Sequence, residues 1–194
     1  MAEKKYTPMM QHYLKMKEEN PDAILFYRLG DFYEMFFEDA KLVSQELDLV
    51  LTGRSAGVEE KVPMCGVPFH AANSYIQRLV KKGYKVAICE QLEDPSSAKG
   101  LVDRGIIKII TPGTYMDATM DAKSTNYMAS CEISSFEITV IYCELSTGEL
   151  KYQTLQRSLV SLQKALLEQN VSELVCPMTM DKKWMAALED RFDE

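Results

Sequence analysis

The spacing of the hydrophobic residues changes repeatedly along the first 110 residues, and this alternation restricts the fold more than any other feature of the chain. Residues 23–27, AILFY, are apolar without a break, which is typical of a short strand buried on both faces. Apolar residues then recur every three or four positions from Tyr33 to Leu47, which predicts an amphipathic helix over residues 31–47. Strands and helices that intermix in this way predict a mixed α/β domain.

The flanking segments fit the same fold class. Thr7 and Pro8 are typical of an N-cap and a first helical position, so the sequence predicts a helix from there to the Asn-Pro pair at 20–21. Apolar patterns predict three more strands and one more helix, at 47–52, 85–89, 106–110 and 72–80. We therefore assign residues 1–110 to one α/β domain, in which we expect residues 1–6 to be disordered.

The second half has a different order of elements. Residues 111–125, TPGTYMDATMDAKST, contain turn residues without a clear period and predict an interdomain linker. Residues 126–194 predict three strands, a helix, a strand and a helix, at 127–133, 136–145, 150–155, 159–167, 173–176 and 182–192. This β-β-β-α-β-α order suits a ribonuclease-H-like fold, and because no closing element follows it, we expect a partial domain.

Composition and charge restrict where the chain acts and what it binds. It has no apolar run of about 18 residues, and its start lacks a signal peptide, so we expect no membrane association and a cytoplasmic location. Five scattered cysteines predict reduced, packed thiols.

The net charge of −7 is unevenly distributed along the chain. Residues 1–116 carry 15 basic and 16 acidic side chains, whereas residues 117–194 carry 7 and 13. A polyanion should therefore bind the first half.

Sequence motifs for catalysis or metal binding are absent. The chain has no nucleotide-binding glycine loop, nucleophile elbow or HExxH motif. His12 and His70 have no predicted nucleophile beside them, and Cys65 with His70 does not make a zinc site. We therefore expect no catalytic residue, metal or cofactor. A nuclease needs acids that converge on metal ions, whereas the acids of the second half lie at strand ends or turns: Glu132, Glu137, Glu144 and Glu149.

The stretch 30–36, GDFYEMF, combines three aromatic and two acidic side chains. Asp31 and Glu34 have the spacing of a capping box, in which Asp31 caps the predicted helix and Glu34 reaches back to the cap amide. Phe32 falls at the edge of the apolar arc of that helix and Glu34 falls outside it, so both can project from the helix start. On spacing alone, the other interpretation is a partly buried Phe32 that only packs.

Several motifs resemble the bacterial MutS mismatch-repair family. They are TPMMQ at 7–11, FYR at 26–28, GDFYE at 30–34, PMCGVPFH at 63–70, AICEQ at 87–91 and ITPGT at 110–114. Because they occur in order over nearly all of residues 7–116, the resemblance is specific. Residues 145–149, LSTGE, resemble the connector domain of the family more loosely. The resemblance implies an α/β mismatch-recognition domain followed by a partial ribonuclease-H-like connector domain.

The same resemblance implies a function in DNA mismatch repair, namely recognition of mispaired bases and small insertion/deletion loops in duplex DNA. It implies that Phe32 wedges into the minor groove and that Glu34 hydrogen-bonds the mispaired base. It also implies DNA backbone contacts for Arg54 and Arg104. The alternative is a scaffold of the same fold that binds proteins and does not read mismatches.

The resemblance also sets expectations for cofactors and partners. Proteins of the family are several times longer, form dimers and use ATP and Mg²⁺ in a P-loop domain that this chain lacks. We therefore expect an amino-terminal fragment without enzymatic activity that is monomeric on its own. The connector domain implies a contact with MutL.

Overall fold

The computed structural model describes residues 6–93, 102–116 and 125–192, and the side chains of 190–192 are not described. The chain divides into two compact units, Met1–Ile110 and Thr111–Glu194. Of the arm predicted to be disordered, only Tyr6 is described, and its ring packs edge-on against Phe37. None of the helices in the described ranges combines the length and apolar character needed to cross a membrane.

The first unit is built on a mixed six-stranded sheet. Its described elements are α1 (Pro8–Glu19), β1 (Ala23–Leu29), β2 (Phe32–Phe36), α2 (Phe37–Leu47), β3 (Thr52–Arg54), β4 (Val62–Pro68), a 3₁₀ turn (Phe69–Ala71), α3 (Ala72–Lys81), β5 (Lys85–Gln91) and β6 (Arg104–Ile110). The strand order is β3-β4-β2-β1-β5-β6. Only β1 and β5 pair in parallel, and the remaining neighbours are antiparallel. The predicted mixed α/β fold is confirmed.

Helices cover both faces of this sheet. On one face, Met10 and Tyr13 of α1 pack in a core that includes Leu25, Tyr27 and Phe36. The other face meets α2 and α3, and there the Cys65 thiol donates a hydrogen bond to the Ala40 carbonyl at 3.4 Å. Because side chains alternate along a strand, the uninterrupted apolar run in β1 supplies both cores at once.

The prediction of a helix that begins at Asp31 is wrong. Residues 32–36 form β2, and α2 begins only at Phe37, whose φ of 54° turns the chain from strand to helix. Asp31 is therefore not a helix cap; it lies in the two-residue turn between β1 and β2. Tyr33 and Phe36 are three positions apart, which matches helical spacing. In the strand they are both buried because they face opposite sides of the sheet, so the apolar pattern is the same in either conformation. The strand predicted at 47–52 is shifted to Thr52–Arg54.

The second unit has the predicted order of strands and helices. Its described elements are β7 (Tyr127–Ile133), β8 (Glu137–Glu144), β9 (Glu149–Gln156), α4 (Leu159–Glu168), β10 (Val171–Val175) and α5 (Lys182–Phe192), with strand order β10-β7-β8-β9. Strand β10 pairs in parallel with β7, and the other pairs are antiparallel. The core includes Ile138, Val140, Leu162 and Leu166, with Trp184 of α5 packed against it.

The described part of the predicted linker is hydrogen-bonded within the second unit. The Gly113 amide and the Thr111 hydroxyl both donate to the Glu173 carboxylate of β10. The Asn126 side-chain amide donates to the Pro112 carbonyl at 2.8 Å. Residues 117–124 of the predicted linker lie outside the described residues.

All five cysteines are free thiols, as predicted. Cys65, Cys89 and Cys131 are buried, and Cys143 and Cys176 are partly buried. Burial raises the pKa of Cys65 to about 12 and the pKa of Cys89 to about 11. These thiols therefore behave as small core residues.

Candidate functional site

Phe32 lies at the end of the β1–β2 hairpin and is exposed, although it belongs to the central part of the sheet. It pairs with Leu29 across the turn and with Pro68 of β4. Its relative exposure is 47%, whereas its neighbours in sequence, Tyr33 and Met35, are buried on the opposite face. An interpretation in which Phe32 only packs is therefore not supported.

The turn that carries Phe32 is held from two sides. Gly30 has a φ of 56°, a left-handed conformation that glycine adopts without steric cost. The Arg28 guanidinium donates a hydrogen bond to the Gly30 carbonyl at 2.6 Å. The Phe69 amide donates to the Asp31 carbonyl at 2.9 Å. Both carbonyls of the turn are thus hydrogen-bonded, which fixes the position of Phe32.

Arg28 and Tyr33 extend this support on the other face of the hairpin. The Arg28 guanidinium lies 3.8 Å from the centroid of the Phe69 ring and 3.6 Å from the Glu90 carboxylate. The Tyr33 hydroxyl donates to the same Glu90 carboxylate. Burial, together with that hydrogen bond, raises the pKa of Tyr33 to about 12, so the hydroxyl stays protonated at neutral pH.

Glu34 follows Phe32 by two residues, so both side chains lie on the same face of β2. It pairs with Tyr27 of β1 and with Gly66 of β4. A Cβ atom at position 66 would lie 3.2 Å from the Tyr33 carbonyl oxygen and 3.4 Å from Cγ of Glu34. The absence of a side chain at Gly66 therefore makes room for Glu34.

Arg54 of β3 forms an ion pair with Glu34. Its Nη1 donates a hydrogen bond to Oε2 of the carboxylate. The side chain of Glu34 is 15% exposed and that of Arg54 is 36% exposed. The guanidinium carbon lies 5.9 Å from the centroid of the Phe36 ring. The structure thus brings together three of the four predicted site residues.

An open groove of about 290 Å³ runs beside these side chains. It is lined by Phe32, Glu34, Val50, Thr52, Met64, Cys65 and Gly66. The groove combines an exposed aromatic ring with a hydrogen-bonding carboxylate on a mostly apolar wall. Such a surface can stack on a planar apolar partner and accept a hydrogen bond from it.

The fourth predicted residue, Arg104, lies elsewhere in the first unit. It begins β6 instead of lying in a polar loop, and its relative exposure is only 7%. Its guanidinium donates to the carbonyls of Arg28 at 2.9 Å and Val102 at 2.8 Å. These bonds hold its guanidinium against the sheet. The burial of His12 and the positive charge of Arg104 lower the pKa of His12. This arrangement weighs against contact between Arg104 and a DNA backbone.

Sequence reasoning missed three residues that support the hairpin and one that lines the groove opposite Glu34: Arg28, Phe69, Glu90 and Gly66. Three of them occur within the motifs FYR and PMCGVPFH, and Glu90 occurs within AICEQ. Their positions in those motifs were the only available signal, because their contacts join residues up to 62 positions apart. Among the described residues, no group of three or more His, Cys, Asp or Glu side chains has the geometry of a metal site.

Comparison with known proteins gives consistent matches over the first unit and beyond. The family model described as MutS domain I matches residues 7–119. A DNA mismatch repair protein MutS from Clostridium tetani is 50% identical over 194 residues, which cover 97% of this chain and 22% of the relative. The protein of the same name from Clostridium novyi is 49% identical over 188 residues, covering 96% and 21%. The one from Clostridium botulinum (strain Loch Maree / Type A3) is 61% identical over 144 residues, covering 74% and 16%. The chain thus spans about a fifth of the length of these curated relatives.

Proposed function

The chain belongs to the MutS family, and from this premise we propose that its first unit recognises mispaired bases and small insertion/deletion loops in duplex DNA during mismatch repair. The observation that carries the proposal is the exposed ring of Phe32 at the end of a hairpin held from both sides, with Glu34 on the same face. The names of the relatives support the same activity.

In this proposal Phe32 acts as an apolar wedge in the minor groove. Inserting an apolar side chain between base steps unstacks and kinks the duplex, which costs a few kcal/mol per step. The cost is lower where pairing is already faulty, so the wedge selects mismatches through the deformability of the duplex. A wedge needs a rigid support, and the hydrogen bonds to the carbonyls of Gly30 and Asp31 supply one.

Glu34 supplies the polar part of recognition. Its carboxylate can accept a hydrogen bond from an N–H group of a displaced base. Near intact DNA the same negative charge repels phosphate, which lowers affinity for correctly paired duplexes. Discrimination therefore improves at the expense of affinity.

The remaining properties of the family are proposed for the longer protein. We propose that ATP and Mg²⁺ bind outside these 194 residues and that two copies of the longer chain pair on DNA. The second unit acts as part of a ribonuclease-H-like connector that contacts MutL. We place this activity in the cytoplasm, since five free thiols suit a reducing compartment.

The test uses a chimera, in which residues 1–194 of this chain replace the matching segment of the Clostridium tetani relative. The two are 50% identical over this length. We expect Phe32→Ala to abolish the preference for a G·T heteroduplex over the matched homoduplex in a gel-shift assay. The melting temperature of the 194-residue chain should fall by about 2 °C or less, because the ring is half exposed.

Phe136→Ala is the matched control, because Phe136 is an exposed phenylalanine of the second unit. It should keep the parent preference. Glu34→Ala should reduce the heteroduplex preference and raise affinity for the homoduplex. If the Phe32→Ala and Glu34→Ala chimeras both preferred the G·T duplex as strongly as the parent, the proposed function would be wrong.

A further inference from the structure

We propose that Arg54 is a positioning residue that governs mismatch discrimination through Glu34, instead of a residue that acts through a DNA phosphate. The proposal rests on the proposed function of Glu34. It assigns to Arg54 a role different from the backbone contact that the family resemblance implies. The direction of the Arg54 side chain and the oxygen atom that it contacts support this role.

Arg54 reaches Glu34 across an intervening strand. Strand β4 lies between β3 and β2, with Val62 opposite Arg54 and Gly66 opposite Glu34. Neighbouring strands are about 4.8 Å apart, so the two backbones are separated by about twice that distance. Gly66 leaves space above β4 beside the carboxylate, and the guanidinium occupies the region near the Phe36 ring. The Arg54 side chain is therefore extended toward Glu34 across the sheet.

The contact engages one oxygen of the carboxylate and does not involve the other. Nη1 of Arg54 donates to Oε2 of Glu34, and no other described residue donates to Oε1. A glutamate side chain held in one rotamer loses less conformational entropy when it binds a base. Arg54 also offsets the charge of Glu34 close to the DNA, so repulsion from the duplex is moderated and not eliminated.

A phosphate contact predicts different behaviour. Contacts to phosphate contribute to affinity for every duplex and do not distinguish paired from mispaired bases. Loss of one such contact weakens binding to both duplexes and reduces the salt dependence of binding by about one counterion. Loss of a positioning contact changes the ratio of the two affinities, and only when Glu34 is present.

The experiment measures dissociation constants for the G·T heteroduplex and the homoduplex over a range of salt concentrations in the same chimera. We expect Arg54→Ala to lower the discrimination ratio by about tenfold, in keeping with the loss of a charged hydrogen bond. In the Glu34→Ala background, Arg54→Ala should leave the discrimination ratio unchanged. Arg54→Gln is measured in parallel, so that the result does not depend on the folding of one variant.

Two variants separate charge from position. Arg54→Lys keeps the charge on a shorter side chain, and because Arg54 is already extended to reach Glu34, a positioning role predicts a ratio as low as that of Arg54→Ala. Arg78→Ala removes an exposed arginine of α3 and should behave as the parent. Equal weakening of both duplexes, a salt slope lower by about one and rescue by Arg54→Lys would overturn the proposal.

Phe32→Ala distinguishes this failure from failure of the proposed function. If Phe32→Ala abolishes the heteroduplex preference and Arg54→Ala keeps it, only the role of Arg54 is wrong. If Phe32→Ala keeps the preference as well, the wedge itself is wrong and the role of Arg54 fails with it.

Discussion

Gly66 is the residue on which the geometry of the groove depends most directly. It lies opposite Glu34 on β4, and a Cβ atom there would crowd the Tyr33 carbonyl oxygen at 3.2 Å and touch Cγ of Glu34 at 3.4 Å. The atoms that a Cβ would meet include a backbone oxygen, which cannot move aside without disturbing the ladder between β2 and β4. The absence of a side chain at Gly66 therefore leaves the backbone of β2 uncrowded beside Glu34.

We predict that Gly66→Ala lowers mismatch discrimination more than it lowers stability. The new Cβ would lie 3.2 Å from the Tyr33 carbonyl oxygen and would touch Cγ of Glu34 at 3.4 Å, so it crowds the part of β2 that carries the carboxylate. We expect a loss of about 1 kcal/mol in the free energy of unfolding from overpacking. The discrimination ratio of the chimera should approach that of Glu34→Ala, as measured by gel shift.

Gly105→Ala is the control for this substitution. Gly105 also lies in a strand of the first sheet, and its added Cβ would meet only the end of the exposed Leu92 side chain at 3.1 Å. That side chain can move, so discrimination and stability should both remain close to the parent. A Gly66→Ala chimera with unchanged discrimination would show that Glu34 tolerates displacement.

At the scale of elements, the hairpin keeps its position because α1, β1 and α2 meet at one buried carboxylate. Asp39, in the first turn of α2, accepts hydrogen bonds from the Leu25 amide at 2.9 Å and from the Lys17 ammonium at 2.9 Å. The Tyr13 hydroxyl lies 3.4 Å from the same group. Asp39 also complements the dipole of α2, which has no side-chain cap. The start of α2 is therefore fixed by tertiary contacts instead of a capping box.

We predict that Asp39→Ala destabilises the first unit by about 2–3 kcal/mol, because it leaves the Leu25 amide without its acceptor and the Lys17 ammonium without its counterion. Urea denaturation followed by circular dichroism measures the change. Glu38→Ala is the matched control, since the Glu38 side chain is 84% exposed and its only ion pair within the described part of the chain is with Lys41, one turn away. Its effect should be below about 0.5 kcal/mol. Equal effects of the two substitutions would contradict the role given to Asp39.

At the scale of the whole molecule, each unit has a core of its own, and the only tryptophan of the chain reports on one of them. Trp184 packs against the core of the second unit, so its fluorescence follows unfolding of that unit. The same unit contains a tight turn after β8, in which the Glu144 carboxylate accepts hydrogen bonds from Thr147 and Ser146. These hydrogen bonds lower the pKa of Glu144 to about 2.

We predict that the second unit loses stability in acid partly through Glu144. Its pKa is about 2 in the folded chain and has an ordinary value of 4.5. A lowered pKa stabilises the folded state fully above the ordinary value, and the contribution is lost as the pH falls from about 4.5 toward 2. Urea midpoints from Trp184 fluorescence should fall over this range in the parent and fall less in Glu144→Gln.

Glu137→Gln serves as the comparison, because Glu137 is an exposed residue at the other end of β8. Its urea midpoints should follow those of the parent across the acid range. A Glu144→Gln chain with the full acid dependence of the parent would show that the turn does not contribute.

The sequence by itself determined the fold class, the order of elements in the second unit and the family. These depend on local periodicity and on motifs that are read in order along the chain, such as GDFYE and PMCGVPFH. It also indicated Phe32 and Glu34 as the side chains left over from packing. That indication was based on a helix that the structure does not contain. Phe32 and Glu34 still lie on one face, because side chains two positions apart on a strand such as β2 point to the same side.

Only the tertiary structure decided that residues 32–36 form a strand, that Arg54 contacts Glu34 and that Arg104 is buried. Over five residues, helical and strand spacing overlap, so pairing with β4, about 30 positions further along the chain, settles the conformation. The direction of a long cationic side chain likewise depends on which carboxylate or carbonyl the fold brings near it. For Arg54 that group is Glu34, and for Arg104 it is the backbone of Arg28, 76 positions away. Such contacts have no local signal in the sequence.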